Sequence, residues 1–565
     1  MSSSQLGPKQ RRTALQRMRD EEFDIVVVGG GVTGCGIALD AATRGLSVAL
    51  VEQRDLASGT SSRSSKLIHG GLRYLEKLDF RLVREALKER ALLLQTLAPH
   101  LVKPVPFLMP LTKGPFERPY IGSGVLLYDT IGGAGAVPRH RHYSKRTARQ
   151  LVPSLREDAM RGGIRYYDAQ VDDARHTMML ARTAAEYGAT IATSVRVTGL
   201  LRSGQRVTGV QAQDLEGGDA FNLRGRYTIN ATGVWSDDLV ELAGARAQFT
   251  VRASKGIHIT VPRERIRSQV GLIMRTEKSV LFVIPWKEEW LIGTTDTDWD
   301  LDRAHPAASR ADVDYLLERV NAMLDANIGH DDIIGFYAGL RPLVAGAAAS
   351  TAALSREHGL DEPVPGLQVI AGGKYTTYRP MAAHAVDTAA KALGSTAPSV
   401  TDKTRLLGAR GYHALWNARE RTATESGLRV SQIEHLLDRY GSLSDDILEL
   451  IRERPELAEP LPGADRYLTA EAVYAVTHEG ALHIEDVLAR RMRVDFEVKD
   501  RGAAAAEAVA PIIADVLGWD DETTRNEVDQ YLGRLAAQRE ALQQPDDRTA
   551  DAKRQEGPDS RQGAA

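Results

Sequence analysis

Hydrophobic positions in this chain fall into two regimes. Between residues 23 and 395, short apolar runs rich in β-branched residues alternate with helical patterns and glycine turns, as in α/β and α+β folds. From 411 to about 545, apolar residues recur at helical spacing and strand-like runs nearly vanish, which predicts a helical domain. The composition shifts between the two at about 396–410. Residues 1–22 are polar without an apolar run and are expected to form a mobile tail. Residues 546–565, DDRTADAKRQEGPDSRQGAA, lack apolar content and are expected to be disordered.

The pattern is sharpest in FDIVVVGGGVTGCGIALDAATRGLSVALVE (23–52). An apolar strand over 23–28 runs into Gly29, Gly30, Gly31 and Gly34, which hold the G-x-G-x-x-G spacing. A helix is predicted to about Arg44, stopped by Gly45, then a second strand over 46–51 ended by Glu52. The first glycine of the motif allows a tight turn, the second lets backbone approach a pyrophosphate, and the third lets helix pack on strand. The helix N-terminus faces the phosphates, and Glu52 is placed to accept hydrogen bonds from a ribose diol. Strand, glycines, helix, strand and acid in register point to a dinucleotide. The acid serves FAD and NAD alike. The motif's place at the start of the fold and the hydroxyl-rich run DLASGTSSRSSK (55–66) behind it favour FAD.

Composition narrows the rest. A chain of 565 residues is too long for one core, so two or three domains are expected. With 43% hydrophobic and 26% charged residues it matches soluble globular chains. A net charge of −3 gives no global pull toward nucleic acid. The one cysteine, Cys35, excludes an internal disulfide and any cysteine-based metal cluster, and fits a reducing compartment. No signal peptide and no bilayer-spanning run is expected.

Further segments carry a resemblance. GTSSRSSKLIHGGLRYLE (59–76), KGIHITVP (255–262), VIPWKEEWLIGTTDTDW (283–299), YAGLRPL (337–343), AGGKYTTYRP (371–380) and THEGALHIEDVLARR (477–491) stand in one order along the chain. They resemble the FAD-dependent glycerol-3-phosphate dehydrogenases of the D-amino-acid-oxidase-like superfamily, over about residues 22–535. The resemblance implies a mixed α/β plus α+β class. A Rossmann-like FAD-binding domain would be interleaved with an antiparallel-sheet substrate domain over 23–395, followed by a helical C-terminal domain over 396–545. It implies oxidation of sn-glycerol 3-phosphate to dihydroxyacetone phosphate. Electrons would pass to a membrane quinone, by a peripheral protein on the cytoplasmic face of the plasma membrane.

The same resemblance implies that Ser61, Ser62, Lys66, His69, Gly70 and Gly71 run along the FAD and under its flavin. Thr232 and Gly233 would close over the cofactor, with Gly373 and Lys374 also against it. Arg73 and Tyr74 would project into a substrate pocket. A phosphate dianion needs converging cations, and the candidates are Arg73, Arg341, Arg356 and Lys374. His258, on the alternating strand 257–259, is the first choice of proton acceptor. Arg341 is the second, better suited to steadying the forming alkoxide because guanidinium rarely gives up its proton. Lys374 would favour negative charge on the flavin, and Thr377 would touch substrate or flavin.

Other patterns lead nowhere. Counted as a calcium loop from Asp296, TDTDWDLD puts Leu301 and Ala307 where glycine and glutamate are required. His478 and His483 lie about 140° apart on a helix, which argues against a shared zinc. The basic segment RHRHYSKRTAR (139–149) has only Tyr143 for base stacking. With the basic stretch 9–19 and an apolar helix face, it is one of three candidate surfaces for anionic lipid. A homodimer through the helical domain is compatible with the sequence. The rivals are an oxidase using oxygen, an amine or amino-acid oxidase of the same superfamily, and a flavin-holding protein without turnover.

Overall fold

The computed structural model describes residues 4–72, 79–114, 116–132, 135–275, 280–345, 358–559 and 561. The stretch read as a mobile tail instead forms helix α1 (Pro8–Asp20), which buries Ala14, Leu15 and Met18. These three lie within one turn of each other, a narrow stripe that does not register as an apolar run. Leu15 and Met18 pack on Phe23, Val26, Ala49 and Val51, and Arg11 reaches Asp214 at 2.6 Å.

Strand β1 (Glu22–Val28), helix α2 (Val32–Thr43) and strand β2 (Val48–Glu52) follow as predicted. β1 pairs in parallel with β2 and with the strand Ala220–Asn230, which pairs in parallel with Leu367–Gly372. Thr190–Thr193 extends the sheet beyond β2. A parallel sheet covered on both faces needs apolar residues on both faces, which is why these strands are continuous runs. α2 is buried from Gly34 to Ala42 between the sheet and the helices Asp173–Glu186 and Tyr378–Leu393.

The second sheet has ten strands, centred on Thr250–Pro262 paired antiparallel with Gly335–Ala345 and Glu289–Gly293. It is antiparallel as expected except where Gly271–Arg275 runs parallel to Lys103–Leu111. The helical domain runs from Tyr412–Asn417 to Asp521–Leu542, with one two-stranded ribbon, Pro460–Leu461 and Ala464–Leu468.

The C-terminal stretch expected to be disordered also corrects that reading. Asp547–Gln555 is a helix capped by Asp546, with Ala550, Asp551 and Arg554 buried. Asp547 pairs with the buried Lys255 at 2.5 Å. Low apolar content prevents a segment from forming its own core, but it does not prevent docking through charges onto an existing one.

Buried histidines make stability depend on pH. His100 and His176 are fully buried, and burial lowers each to about 3; His258 shifts the same way. The unfolded chain protonates them near pH 6.5. Their contribution is therefore present above about pH 6.5 and is lost as pH falls toward 3, by about 1.4 kcal/mol per pH unit per group. His483 behaves oppositely. Burial alone would lower it, but Glu216 and Glu527 raise it to about 9, so its contribution is lost as pH rises through 9. The urea midpoint should fall between pH 7 and pH 5; a flat profile would contradict neutral burial of these rings.

Candidate active site

Gly29, Gly30, Gly31, Gly34, Glu52, Thr232, Gly233 and Gly373 lie at the carboxyl edge of the parallel sheet, or in turns leaving it. Gly29 follows β1 with φ +113°, and a Cβ there would stand 2.6 Å from the Ala231 carbonyl oxygen. A Cβ on Gly34 would overlap the Gly29 carbonyl oxygen, so α2 can start this close to β1 only with glycine. Gly30 N–H donates to Glu52 Oε2 at 2.7 Å and Arg54 N–H to Oε1 at 2.8 Å, fixing the carboxylate at the end of β2. Two lone-pair sites remain for a diol. Gly31 begins α2, and Ser61 Oγ accepts from Val32 N–H at 2.9 Å. Thr232 and Gly233 turn out of Ala220–Asn230, with Thr232 Oγ1 donating to Asn230 at 2.7 Å. Gly372 and Gly373, both at positive φ, lead from Leu367–Gly372 to Lys374. Crevices at the carboxyl ends of parallel strands are where α/β sheets bind ligands. These glycine-only approaches and the fixed acid fit a dinucleotide.

A serine-rich ribbon crosses from this edge to the second sheet. Thr60 Oγ1 donates to the Leu340 carbonyl at 2.6 Å, and Tyr337 OH to the Ser64 carbonyl at 2.8 Å. Ser65 Oγ stands 2.9 Å from His258 Nε2. The face beneath is set by strand alternation and register: His258 opposite Tyr337, Gly256 opposite Gly339, Ser254 opposite Arg341. His258 is buried and stacks on Tyr337, ring centroids 4.9 Å apart. Burial, then the nearby Lys66 and Arg341 charges, hold it well below the usual histidine range. Its Nδ1 is buried without a hydrogen-bond partner among the described residues.

The Arg341 guanidinium lies over Gly256, where a Cβ would overlap it. It donates to Thr294 Oγ1 at 3.0 Å and the Thr295 carbonyl at 3.2 Å, with Asp296 at 3.3 Å, and its side chain is 26% exposed. The structure thus brings His258 and Arg341 together; the alternating strand was read only for His258, and Arg341 lies within the strand Gly335–Ala345.

Lys66 departs from its expected place along the cofactor. Its side chain is fully buried and its ammonium is 2.9 Å from Asp173, donating also to the Ser62 carbonyl. The residue pins the ribbon to the helix Asp173–Glu186 rather than lining a crevice. Ser61 and Ser62 are buried beneath it. His69 is tied through its backbone to Thr376, at 3.1 and 3.2 Å. Gly70 N–H donates to Tyr128 OH, whose proton goes to Asp168, itself paired with Arg90. A Cβ on Gly70 would stand 2.8 Å from that phenol oxygen, and Gly71 has φ +75°. Thr377, expected to touch substrate or flavin, is buried with its hydroxyl turned onto the Lys374 carbonyl at 3.3 Å. Arg73, Tyr74 and Arg356 lie outside the described residues.

Three residues of this arrangement escaped the sequence. Tyr337 could have been found, since its strand alternates 337, 339, 341 on one face. Ser65 and Asp173 gave no local signal. Asp173 holds Lys66, Arg493 and both the N–H and hydroxyl of Ser64.

Comparison with known proteins bears on this geometry. The FAD dependent oxidoreductase family matches residues 24–386, and the C-terminal domain of alpha-glycerophosphate oxidase matches 399–524. A glycerol-3-phosphate dehydrogenase of Mycobacterium leprae is 56% identical over 560 residues, covering 99% of this chain and 96% of that protein. The mitochondrial glycerol-3-phosphate dehydrogenase of Bos taurus is 36% identical, covering 92% of this chain and 74% of its own. The crystal structure of the Bacillus halodurans glycerol-3-phosphate dehydrogenase complexed with FAD aligns with TM-score 0.79 at 29% identity, over 94% of this chain and 98% of that one.

Proposed function

Because this chain belongs to the FAD-dependent glycerol-3-phosphate dehydrogenases, we propose that it oxidises sn-glycerol 3-phosphate to dihydroxyacetone phosphate, with a membrane quinone as final electron acceptor. One observation carries the reading. A neutral buried imidazole and a partly open guanidinium share one sheet face, and the serine ribbon joins that face to the nucleotide crevice.

FAD, held by Gly29, Gly30, Gly31, Gly34, Glu52, Thr232 and Gly233, supplies the hydride acceptor. The protein does the rest. Arg341, with Arg73, Arg356 and Lys374, draws in the phosphate dianion and orients the carbinol. His258 takes the hydroxyl proton. In the tautomer that donates Nε2–H to Ser65 Oγ, 2.9 Å away, Nδ1 bears the lone pair. Holding the ring neutral keeps that lone pair available at pH 7. Arg341 steadies the negative charge that develops on the carbinol oxygen, and Lys374 would favour an anionic cofactor when FAD is bound.

The test is anaerobic addition of glycerol 3-phosphate to the yellow holoprotein. Bleaching is expected, and a quinone analogue should restore the colour faster than air. Absence of bleaching would overturn the substrate; faster recovery in air would make it an oxidase. Arg341→Ala should lower kcat/KM by about 10²–10³-fold. It should leave the thermal midpoint unchanged, because the guanidinium is partly solvated. An unaltered kcat/KM would withdraw its role.

A membrane acceptor requires a membrane-facing surface, and we place it on the helix Glu117–Ile131. Phe116 is 84% exposed and Tyr120 and Leu126 more than half exposed. The basic segment 139–149 lies alongside, since a Cβ on Gly122 would meet the His142 ring at 2.7 Å. α1 is committed to the nucleotide domain through its buried stripe, which weakens the basic stretch 9–19 as the lipid contact. Among the described residues, no helix is long and apolar enough to cross a membrane. Phe116→Ser should weaken co-sedimentation with anionic vesicles by about tenfold, the magnitude of losing a buried aromatic ring. Equal sedimentation of both proteins would remove this surface.

A further inference from the structure

A second cationic site lies behind the serine ribbon, where the helical domain meets the strand Gly335–Ala345. It is a cavity with about 710 Å³ of empty space, part of it open to solvent, lined by Arg63, Arg501, Arg534, Arg554, Gln538 and His305 among others. Arg501, Arg534 and Arg554 are each more than nine-tenths buried. Arg501 Nη1, Arg534 Nε and Arg554 Nη2 have no hydrogen-bond partner among the described residues. Three buried guanidinium N–H groups without acceptors at one cavity are costly unless something accepts from them.

Ion pairing there is also incomplete. The other two lining arginines are matched: Arg490 with Asp55 and Asp486, and Arg493 with Asp172 and Asp173. Arg534 meets Glu485, and Asp495 lies near enough to Arg501 to offset it. Asp559 is taken by Arg54 and His305. Arg63 and Arg554 form no ion pair among the described residues, and Arg63 donates only to the Ala304 carbonyl at 3.3 Å. Asp559 and Asp302 attract Arg554, and Asp495 attracts Arg63, but neither guanidinium has a direct acidic partner among the described residues. Burial, then mutual repulsion with Arg490 and Arg554, lowers Arg63 to about 10; burial chiefly lowers Arg554 to about 10 as well. Water could satisfy the orphan N–H groups but would not give Arg63 and Arg554 an anionic partner.

We propose that this cavity binds a small dianionic oxyanion of the phosphate class, held by Arg554, Arg63, Arg501 and Arg534. Arg341 and His258 are not among the residues lining this cavity, although Tyr337 borders it. Gly339 packs against the Arg63 backbone, and the Arg63 side chain contributes to the cavity wall. A bound dianion would tie the helical domain to the ribbon that holds Ser65 on His258. Binding to the folded chain alone would also raise its stability.

The test uses full-length holoprotein, inorganic phosphate, and ionic strength fixed with chloride. Arg341→Ala, which weakens the substrate face, should still bind one phosphate per chain by equilibrium dialysis. Arg554→Gln should weaken that retained site by about tenfold or more, as expected for loss of a charge-assisted contact, and Arg554→Lys should weaken it less. Glycerol 2-phosphate would displace the phosphate if the site accepts monoesters and would leave it bound if only the inorganic ion fits. No phosphate on Arg341→Ala, or unchanged affinity in Arg554→Gln, overturns the proposal. Should the Arg554 variants fail to fold, wild-type crystals grown in selenate decide. An anomalous peak in the cavity supports the site, and water alone there rejects it.

Discussion

His258→Ala is expected to slow anaerobic flavin bleaching by glycerol 3-phosphate by about 10²–10⁴-fold, the usual worth of a positioned general base. The imidazole is held by Ser65 on one side and by Tyr337 beneath it, with Gly293 opposite carrying no side chain to crowd it. A ring fixed this way loses little entropy on reaction, so its removal should lower kcat more than it raises KM. Because burial and the neighbouring cations keep it neutral, the wild-type bleaching rate should be flat from about pH 6 to 8. An alanine variant that bleaches at the wild-type rate would move the proton acceptor elsewhere. A wild-type rate that rises with a midpoint near pH 6.5 would show an imidazole that is not desolvated.

Asp173→Ala should do the greatest damage to the fold. Its carboxylate, completely buried, is the shared partner of Lys66 and Arg493 and accepts from the Ser64 backbone and hydroxyl. Removing it strands Lys66, whose pKa burial already lowers to about 8, in an apolar cage of Trp286, Tyr337 and Phe496. Breaking one side of a buried pair costs about 3–5 kcal/mol. That is a large share of the ~5–15 kcal/mol available to a folded domain. The urea midpoint should drop sharply and FAD should be lost from the purified protein. Asp173→Leu combined with Lys66→Met should recover part of the loss, because Arg493 keeps Asp172 at 3.1 Å while no cation is left without a partner. A single variant as stable as wild type would show that the buried pair is replaceable by water.

The nucleotide half of the site was legible because its chemistry is local. The tight turn, the close helix start and the acid at the strand end all lie within 23–52, and each demands a residue type that can be named from the chain alone. The orientation of His258 was legible by a different route, whereas Arg341 joined its face only in the folded sheet. His258 sits on an alternating strand, and a period of two fixes which residues share a face once the pairing is known. Lys66 was misplaced because a lysine beside serines looks the same whether it faces a phosphate or a buried aspartate distant in sequence. The two termini were misread for a related reason. α1 and Asp547–Gln555 have too few apolar residues to fold alone, and their partners, Asp214 and Lys255, lie far away in the chain.

By itself, then, the sequence determined the parallel sheet, the glycine turn for a dinucleotide, the helical domain and the alternation that aims His258, since all rest on neighbours within a few residues. Only the tertiary structure decided how the domains lock. Arg490 and Arg491 of the helical domain clasp Asp55 beside the nucleotide turn, Arg175 holds Glu479, and Arg493 reaches the ribbon at the Ser62 carbonyl. Those pairs span hundreds of residues, and what makes them strong is the exclusion of water, which no stretch of chain encodes on its own.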